Sequence, residues 1–178
     1  DRRQIQEDIR TVLQSQREFF ASGQTLPVAW RIEQLKKLYD SIKKYENDIY
    51  SALNADLLKN PFDSYATEIG IVLSEISYAL RNVKKWGKIR KISSKFFMYP
   101  SKSKVFPEPF GTVLVMSPWN YPFQLSLTPL VSAIAAGNTV VLKTSEFSKA
   151  TNQVIRQILS ECFESNYVTV IEGGSVVN

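Results

Sequence analysis

Two short stretches of this chain combine residue types and spacing that could do chemistry. The first is Ser117-Pro118-Trp119-Asn120-Tyr121-Pro122, which directly follows the apolar run Thr112 to Met116. Proline fixes its own φ and restricts the residue before it, so two bracketing prolines stiffen the turn and limit where Trp119, Asn120 and Tyr121 can point. A side-chain amide held there can donate to an oxyanion, a role worth ~3–4 kcal/mol of transition-state stabilisation. The competing reading is a proline-locked turn in which Asn120 caps the following helix. The second stretch is Lys143-Thr144-Ser145-Glu146. Glu146 could accept from ribose hydroxyls while Lys143 donates. Alternatively the stretch simply starts a helix, with Glu146 favoured near the helix N-terminus by the dipole. The residues alone leave both pairs of readings open.

The elements that must position these stretches follow from periodicity. Thr112 to Met116 is a continuous apolar run, expected to be a strand buried on both faces. Phe123 to Ala136 reads as a helix closed by Gly137-Asn138, and Thr139 to Leu142 as a second buried strand. Ser148 is expected to N-cap a helix from Lys149 to Phe163, and Val168 to Ile171 reads as a third strand. Strand, helix, strand, helix, strand predicts a parallel sheet with right-handed crossovers and helices on its faces. Ligands bind such sheets beyond the carboxyl ends of the strands, which marks both stretches independently of any family. The first ninety or so residues are helical in pattern. Apolar stripes run through Ile5 to Phe20 (with Gly23 as a stop), Ile32 to Ile42 (after Pro27), Ile49 to Leu57 (interrupted by Pro61) and about Ser64 to Trp86. Between the two regimes, Lys95 to Tyr99 and Lys104 to Pro107, separated by Pro100-Ser101-Lys102-Ser103, predict a β-hairpin whose prolines suit a rim.

Composition narrows the chemistry. Hydrophobic residues at 44% and charged residues at 22% over 178 residues describe one globular domain, or one and a fraction, and not a disordered tail. The formal charge of +5 raises nucleic acid as a partner, but the basic clusters, such as Lys84-Lys85 and Lys88 to Lys91, fall on helix faces and helix ends. Solvated helix surface is the preferred reading, and no nucleic-acid partner is expected. The single cysteine, Cys162, allows no intrachain disulfide, which fits a reducing compartment and a cytoplasmic location. The absence of histidine removes Ser-His-Asp and Cys-His catalysis and most zinc sites from these residues. No apolar run reaches the ~20 residues of a membrane span. The amino end reads as neither signal nor transit peptide. A start without methionine and a stop just past the third strand lead to the expectation that the sequence is unfinished.

Taken together, Phe110-Gly111-Thr112-Val113-Leu114-Val115-Met116-Ser117-Pro118-Trp119-Asn120-Tyr121-Pro122-Phe123 and Ala135-Ala136-Gly137-Asn138-Thr139-Val140-Val141-Leu142-Lys143-Thr144-Ser145-Glu146 closely resemble the aldehyde dehydrogenase superfamily. The order and spacing of Pro-Trp-Asn-Tyr-Pro, Ala-Gly-Asn and Lys-x-Ser-Glu are highly specific. Ala66-Thr67-Glu68-Ile69-Gly70 and Val168 to Gly174 look most like the class 3 branch, which includes medium- and long-chain fatty aldehyde enzymes. The resemblance implies an α/β fold in which N-terminal helices lead into an incomplete Rossmann-like parallel sheet, with one β-hairpin of the oligomerisation region. It implies three parts: a helical part of the cofactor domain (1–94), the hairpin (95–109) and the first strands and helices of the NAD-binding sheet (110–178), the catalytic domain being absent.

The resemblance also implies roles. Asn120 matches the family's oxyanion-hole asparagine. Trp119 and the backbone around Met116 and Ser117 would line the nicotinamide side of the cofactor channel, and Tyr121 would face the aldehyde pocket. Lys143 and Glu146 would bind the adenosine ribose, with Ser145 nearby. An acid at Glu146 favours NAD, because it would repel a 2′-phosphate, although NADP is also used in the class. The implied partners are an aldehyde, of medium or long aliphatic chain in this branch, and a second subunit in a homodimer; membrane association stays open, since some members carry a C-terminal anchor. The family's nucleophilic cysteine, its general-base glutamate and its pyrophosphate-binding Gly-Ser-x-x-x-Gly segment do not occur here. Cys162, on the expected helix beside Leu159 and Phe163, reads as a small buried hydrophobe. The 178 residues alone are therefore expected to be inactive. The rival functions are a coenzyme A-acylating member of the superfamily, a non-catalytic assembly module and a basic nucleic-acid binder.

Overall fold

In the computed structural model the chain is described from residue 2 to residue 173, so the ends of the expected first helix and of the Gly173-Gly174 run lie partly outside the described residues. The helical part comprises α1 (Arg2–Ala21), α2 (Val28–Lys44), α3 (Glu46–Leu57), the short α4 (Pro61–Ser64) and α5 (Gly70–Trp86). A π-helical turn, Tyr65–Ile69, joins α4 to α5. The second, third and fourth apolar stripes become buried faces, while the apolar residues of α1 from Ile9 to Phe20 are only partly buried. Leu35, Leu38 and Ile42 of α2, Ile49 and Leu53 of α3, and Ile69, Val72 and Ile76 around α5 are fully buried in one cluster. Each such side chain contributes ~1.5–3 kcal/mol by leaving water. The expected breaks are also present: Gly23 has φ +76, and Pro27 immediately precedes α2.

The second half is the alternating unit that the sequence predicts. Strands β3 (Thr112–Met116), β4 (Thr139–Lys143) and β5 (Val168–Ile171) form a parallel sheet in the order β3-β4-β5, linked by α6 (Pro122–Ala136) and α7 (Lys149–Cys162). Thr112 to Met116 pair with Thr139 to Lys143, and Val140 to Lys143 with Val168 to Ile171. Val113, Val115, Val140, Leu142, Val168 and Val170 belong to the core shared with α6 and α7. On the other face lies α1, whose buried Gln16 donates from Nε2 to the Val140 carbonyl at 2.8 Å.

Two sequence expectations need correction. β3 is not buried on both faces: Leu114 is 60% and Met116 65% exposed. β3 is an outer strand of the three, and α1 shields only part of its face, whereas β4 is flanked on both sides and buried along most of its length. The hairpin exists, but its first arm is β1 (Arg90–Ile92), paired antiparallel with β2 (Ser103–Val105). Lys95 to Tyr99, expected as a strand, instead forms a 3-10 turn over Phe96–Met98. There the amides of Met98, Tyr99 and Ser101 donate to carbonyls three residues back, so the backbone is satisfied locally and Phe96, Phe97 and Tyr99 project into solvent. Aromatic composition was a misleading guide where no second layer is available to pack against.

The Ala136-Gly137-Asn138 motif is the clasp between α6 and β4. Gly137 terminates α6 with φ +93, a left-handed conformation that side chains on L-residues resist. Asn138 Oδ1 accepts from the Gly111 amide at 3.0 Å, and its Nδ2 donates to the Ala133 carbonyl at 3.2 Å. Arg31, from α2, lies against Gly137 and donates to the carbonyls of Thr25, Leu26 and Ala135.

Candidate functional site

The carboxyl ends of β3 and β4 are adjacent in register, Met116 opposite Lys143, and the loops that leave them meet. The Ser117 amide donates to the Lys143 carbonyl at 3.0 Å, extending the ladder by one residue. The Ser148 hydroxyl, at the start of α7, makes a long 3.5 Å contact with the Trp119 carbonyl. Met116 and Lys143 line, with Ile9, Leu13, Leu114 and Val141, a groove of about 250 Å³ between α1 and the sheet. A larger concavity, about 770 Å³, lies near the amino end of β5 beside Phe163 and Ser165 and contains neither loop.

Within the first loop, Ser117 is half-buried and its Oγ accepts from Ser126 Oγ at 2.7 Å. Trp119 is 55% exposed, and Asn120 is exposed with no hydrogen-bond partner among the described residues. Tyr121 stands at the N-cap position of α6, with φ −137, and its ring lies 4.2 Å from the Lys59 ammonium. In the second loop, Ser145 accepts from the Asn152 amide through its carbonyl at 2.7 Å. Lys143 and Glu146 have no side-chain hydrogen bond or ion pair among the described residues. Thr144, between them, is buried with its Oγ1 unpartnered.

Neither capping role open to these side chains is filled by them. The N-terminus of α6 is capped by Glu68, whose Oε2 accepts from the amides of Phe123 at 2.9 Å and Gln124 at 3.2 Å. The N-terminus of α7 is capped by Asp56, which accepts from the amides of Ala150 at 3.1 Å and Thr151 at 2.7 Å. Ser148, expected as the N-cap of α7, occupies that position without a side-chain capping bond. Each acid reaches across from the helical part of the chain and satisfies donors that the helix itself cannot. Asn120 and Glu146 therefore cap neither helix. Glu68 is fully buried and ion-paired with Lys59.

Glu68, Lys59 and Asp56 were not among the residues that the sequence marked. A signal for Glu68 existed: it lies four residues before Val72, on the apolar stripe, and an acid there must be paired. Asp56 similarly follows Ala52 by four residues, at the margin of the α3 stripe. Cys162 is remote from both loops; its Sγ donates to the Lys37 carbonyl at 3.5 Å, and burial pushes its thiol pKa up.

Lys143 and Glu146, a cation and a carboxylate without side-chain partners among the described residues, flank the buried Thr144 at the end of a parallel strand, where ligands bind such sheets. Among the described residues no helix is long and apolar enough to cross a membrane.

Comparison with known proteins agrees with this architecture. The profile of the aldehyde dehydrogenase family matches residues 2–178. The chain is 48% identical over 156 residues to the 4,4′-diaponeurosporen-aldehyde dehydrogenase of Staphylococcus aureus, covering 88% of this chain and 34% of that protein. It is 43% identical over 162 residues to aldehyde dehydrogenase family 3 member B1 of Bos taurus, covering 91% of this chain and 35% of the relative. A substrate-bound structure of Staphylococcus aureus AldH superposes with a TM-score of 0.92 at 46% identity, over 93% of this chain and 36% of the other. The chain thus spans about a third of the length of the curated relatives it matches. With the family profile matched from residue 2 to residue 178 and the two site loops at adjacent strand ends, this chain belongs to the aldehyde dehydrogenase family.

Proposed function

We propose that this chain is the N-terminal portion of an NAD(P)-dependent aldehyde dehydrogenase, supplying an oxyanion donor and half of the adenosine site. The observation that carries this reading is that both helices following the site loops are capped by Glu68 and Asp56, leaving the Asn120 amide and the Glu146 carboxylate uncommitted. Asn120 donates to the oxygen of the thiohemiacetal that forms when a cysteine of the whole enzyme attacks the aldehyde. Such a donor stabilises charge that develops only in the transition state. Tyr121, held under Lys59, forms part of the aldehyde pocket wall. Glu146 accepts from, and Lys143 donates to, the ribose hydroxyls, with Ser145 turning the backbone between them; Met116, Ser117 and Trp119 flank the nicotinamide side. A bound nicotinamide supplies the hydride acceptor. NAD is favoured over NADP by the carboxylate of Glu146.

Cys162 does not serve as the nucleophile, because it faces the Lys37 backbone with a raised thiol pKa. That the substrate is an aldehyde draws support from family 3 relatives and from a relative named for 4,4′-diaponeurosporen-aldehyde; a medium or long aliphatic chain is our reading of the class 3 resemblance. A homodimer is supported by the apolar side chains around the hairpin, where Phe96 is 95% and Tyr99 85% exposed. Such a surface suits burial against a second subunit.

The test is kinetic. In the complete enzyme Asn120→Ala should lower kcat about 10²–10³-fold at unchanged KM for NAD. Glu146→Ala should raise KM for NAD while leaving kcat at saturation within about twofold. Full kcat in Asn120→Ala would refute the oxyanion assignment, and the 178 residues alone should produce no aldehyde-dependent NADH.

A further inference from the structure

Glu68 lies on the π-helical turn Tyr65–Ile69, and both it and Ile69 are fully buried. The turn depends on Gly70: a Cβ there would lie 2.9 Å from the Tyr65 carbonyl oxygen and 3.2 Å from its ring. The Glu68 carboxylate is shared between two elements of the site. Oε2 accepts from the amides of Phe123 and Gln124, in the first turn of α6, and Oε1 is paired with the Lys59 ammonium. That ammonium in turn lies 4.2 Å from the Tyr121 ring centroid.

Asn120 is separated from the capped amide of Phe123 only by Tyr121 and the rigid Pro122. Its own side chain has no partner, and the N-cap residue Tyr121 makes no capping bond. Beside the helical bond from the Leu125 amide to the Tyr121 carbonyl at 2.9 Å, the side-chain contacts that hold this end of the loop against α6 among the described residues run through Glu68 and Lys59. The Ser126–Ser117 hydroxyl bond fixes its other end.

We propose that Glu68, paired with Lys59, is a positioning residue that holds Asn120 and Tyr121 in reactive geometry by capping α6 from the π-helical turn. The inference rests on the oxyanion reading of Asn120 given above. Displacing a reacting group by about 1 Å costs on the order of 10²-fold in rate. Glu68→Met, which removes both acceptors at similar volume, should therefore lower kcat about 10²-fold. Glu68→Gln, which keeps one acceptor and loses the ion pair, should lower it about 10-fold. KM for NAD should change far less than kcat in both, because the ribose grip by Lys143 and Glu146 lies beyond a different strand.

The deciding experiment is a double-mutant cycle in the complete enzyme, with hydrogen exchange as a second readout. In an Asn120→Ala background either substitution at Glu68 should cost less than about threefold, since residues acting as a unit are strongly non-additive. Exchange at the Phe123 and Gln124 amides should quicken in the order wild type, Glu68→Gln, Glu68→Met. If Glu68→Met does not fold, the Glu68→Gln arm of the same cycle decides. Wild-type kcat in folded Glu68 variants overturns the proposal. So does a loss that multiplies with that of Asn120→Ala, or one shared equally by KM for NAD, as general loosening of the fold would produce. Full activity of Asn120→Ala alone would instead bring down the oxyanion reading first, and this inference with it.

Discussion

The contact between Arg31 and Gly137 makes a quantitative prediction about stability. A Cβ added to Gly137 would lie 2.7 Å from Arg31 Cζ and 2.8 Å from its Nε and Nη2, closer than any real contact. Two penalties follow for Gly137→Ala. The left-handed backbone, at φ +93, costs an L-residue roughly 1–2 kcal/mol. The guanidinium must also shift, which loosens its bonds to Thr25 O at 2.8 Å, Leu26 O at 2.7 Å and Ala135 O at 3.3 Å. Bonds to charged groups are each worth about 1.5–3 kcal/mol, so losing one adds roughly that much. The total is about 2.5–5 kcal/mol. In an Arg31→Ala background the guanidinium is already gone, and only the backbone penalty of roughly 1–2 kcal/mol should remain. Urea unfolding followed by circular dichroism measures this directly. With a slope of about 2 kcal/mol/M, Gly137→Ala should lower the midpoint by about 2 M in the parent and by less than about 1 M beside Arg31→Ala. Equal shifts in both backgrounds would refute the account of Gly137 as a seat for Arg31.

Two further outcomes follow from contacts made by single residues. Asp56→Ala removes both acceptors at the N-terminus of α7 and should cost about 2–3 kcal/mol in urea unfolding, whereas Asp56→Asn, keeping one oxygen, should cost about half that; equal losses from the two would argue against capping. Burial raises the pKa of Cys162, so its thiolate forms later than that of an exposed cysteine. Iodoacetamide should label it well below the free-thiol rate at pH 8, with the rate still climbing above the ordinary value of about 8.5, and unfolding should abolish the difference.

What could be read from the sequence was whatever one element decides by itself. The helices, the parallel sheet and the Pro-Trp-Asn-Tyr-Pro turn follow from spacing and from proline geometry and fall close to where the sequence puts them, although the stripe from Ser64 opens with a π-helical turn. The choice between Asn120 as cap and Asn120 as free donor could not be made locally. What removes the cap is Glu68, 55 residues upstream of Phe123, which already holds the first amides of α6. The same holds for Glu146, freed by an Asp56 that lies 94 residues before Ala150. β3 misled for a related reason: an apolar strand states a wish to be covered, and Leu114 and Met116 show that α1 covers it incompletely. At Phe96 to Tyr99 the aromatic residues that suggested a strand are exposed on a turn.

The two acids also impose an order in time. Protein synthesis runs from the amino end at ~5–20 residues per second, so Asp56 leaves the ribosome several seconds before the amides of Ala150 and Thr151 that it will hold. Glu68 likewise precedes Phe123 and Gln124. The helical part does not close its core by itself: α3 packs against α7 and α5 against α6, so the acids and the apolar faces are engaged together as those helices arrive. Each later helix then finds its first turn stabilised as it emerges, at the point where helix formation is most costly. The loops at the ends of β3 and β4 are set as a by-product of that docking.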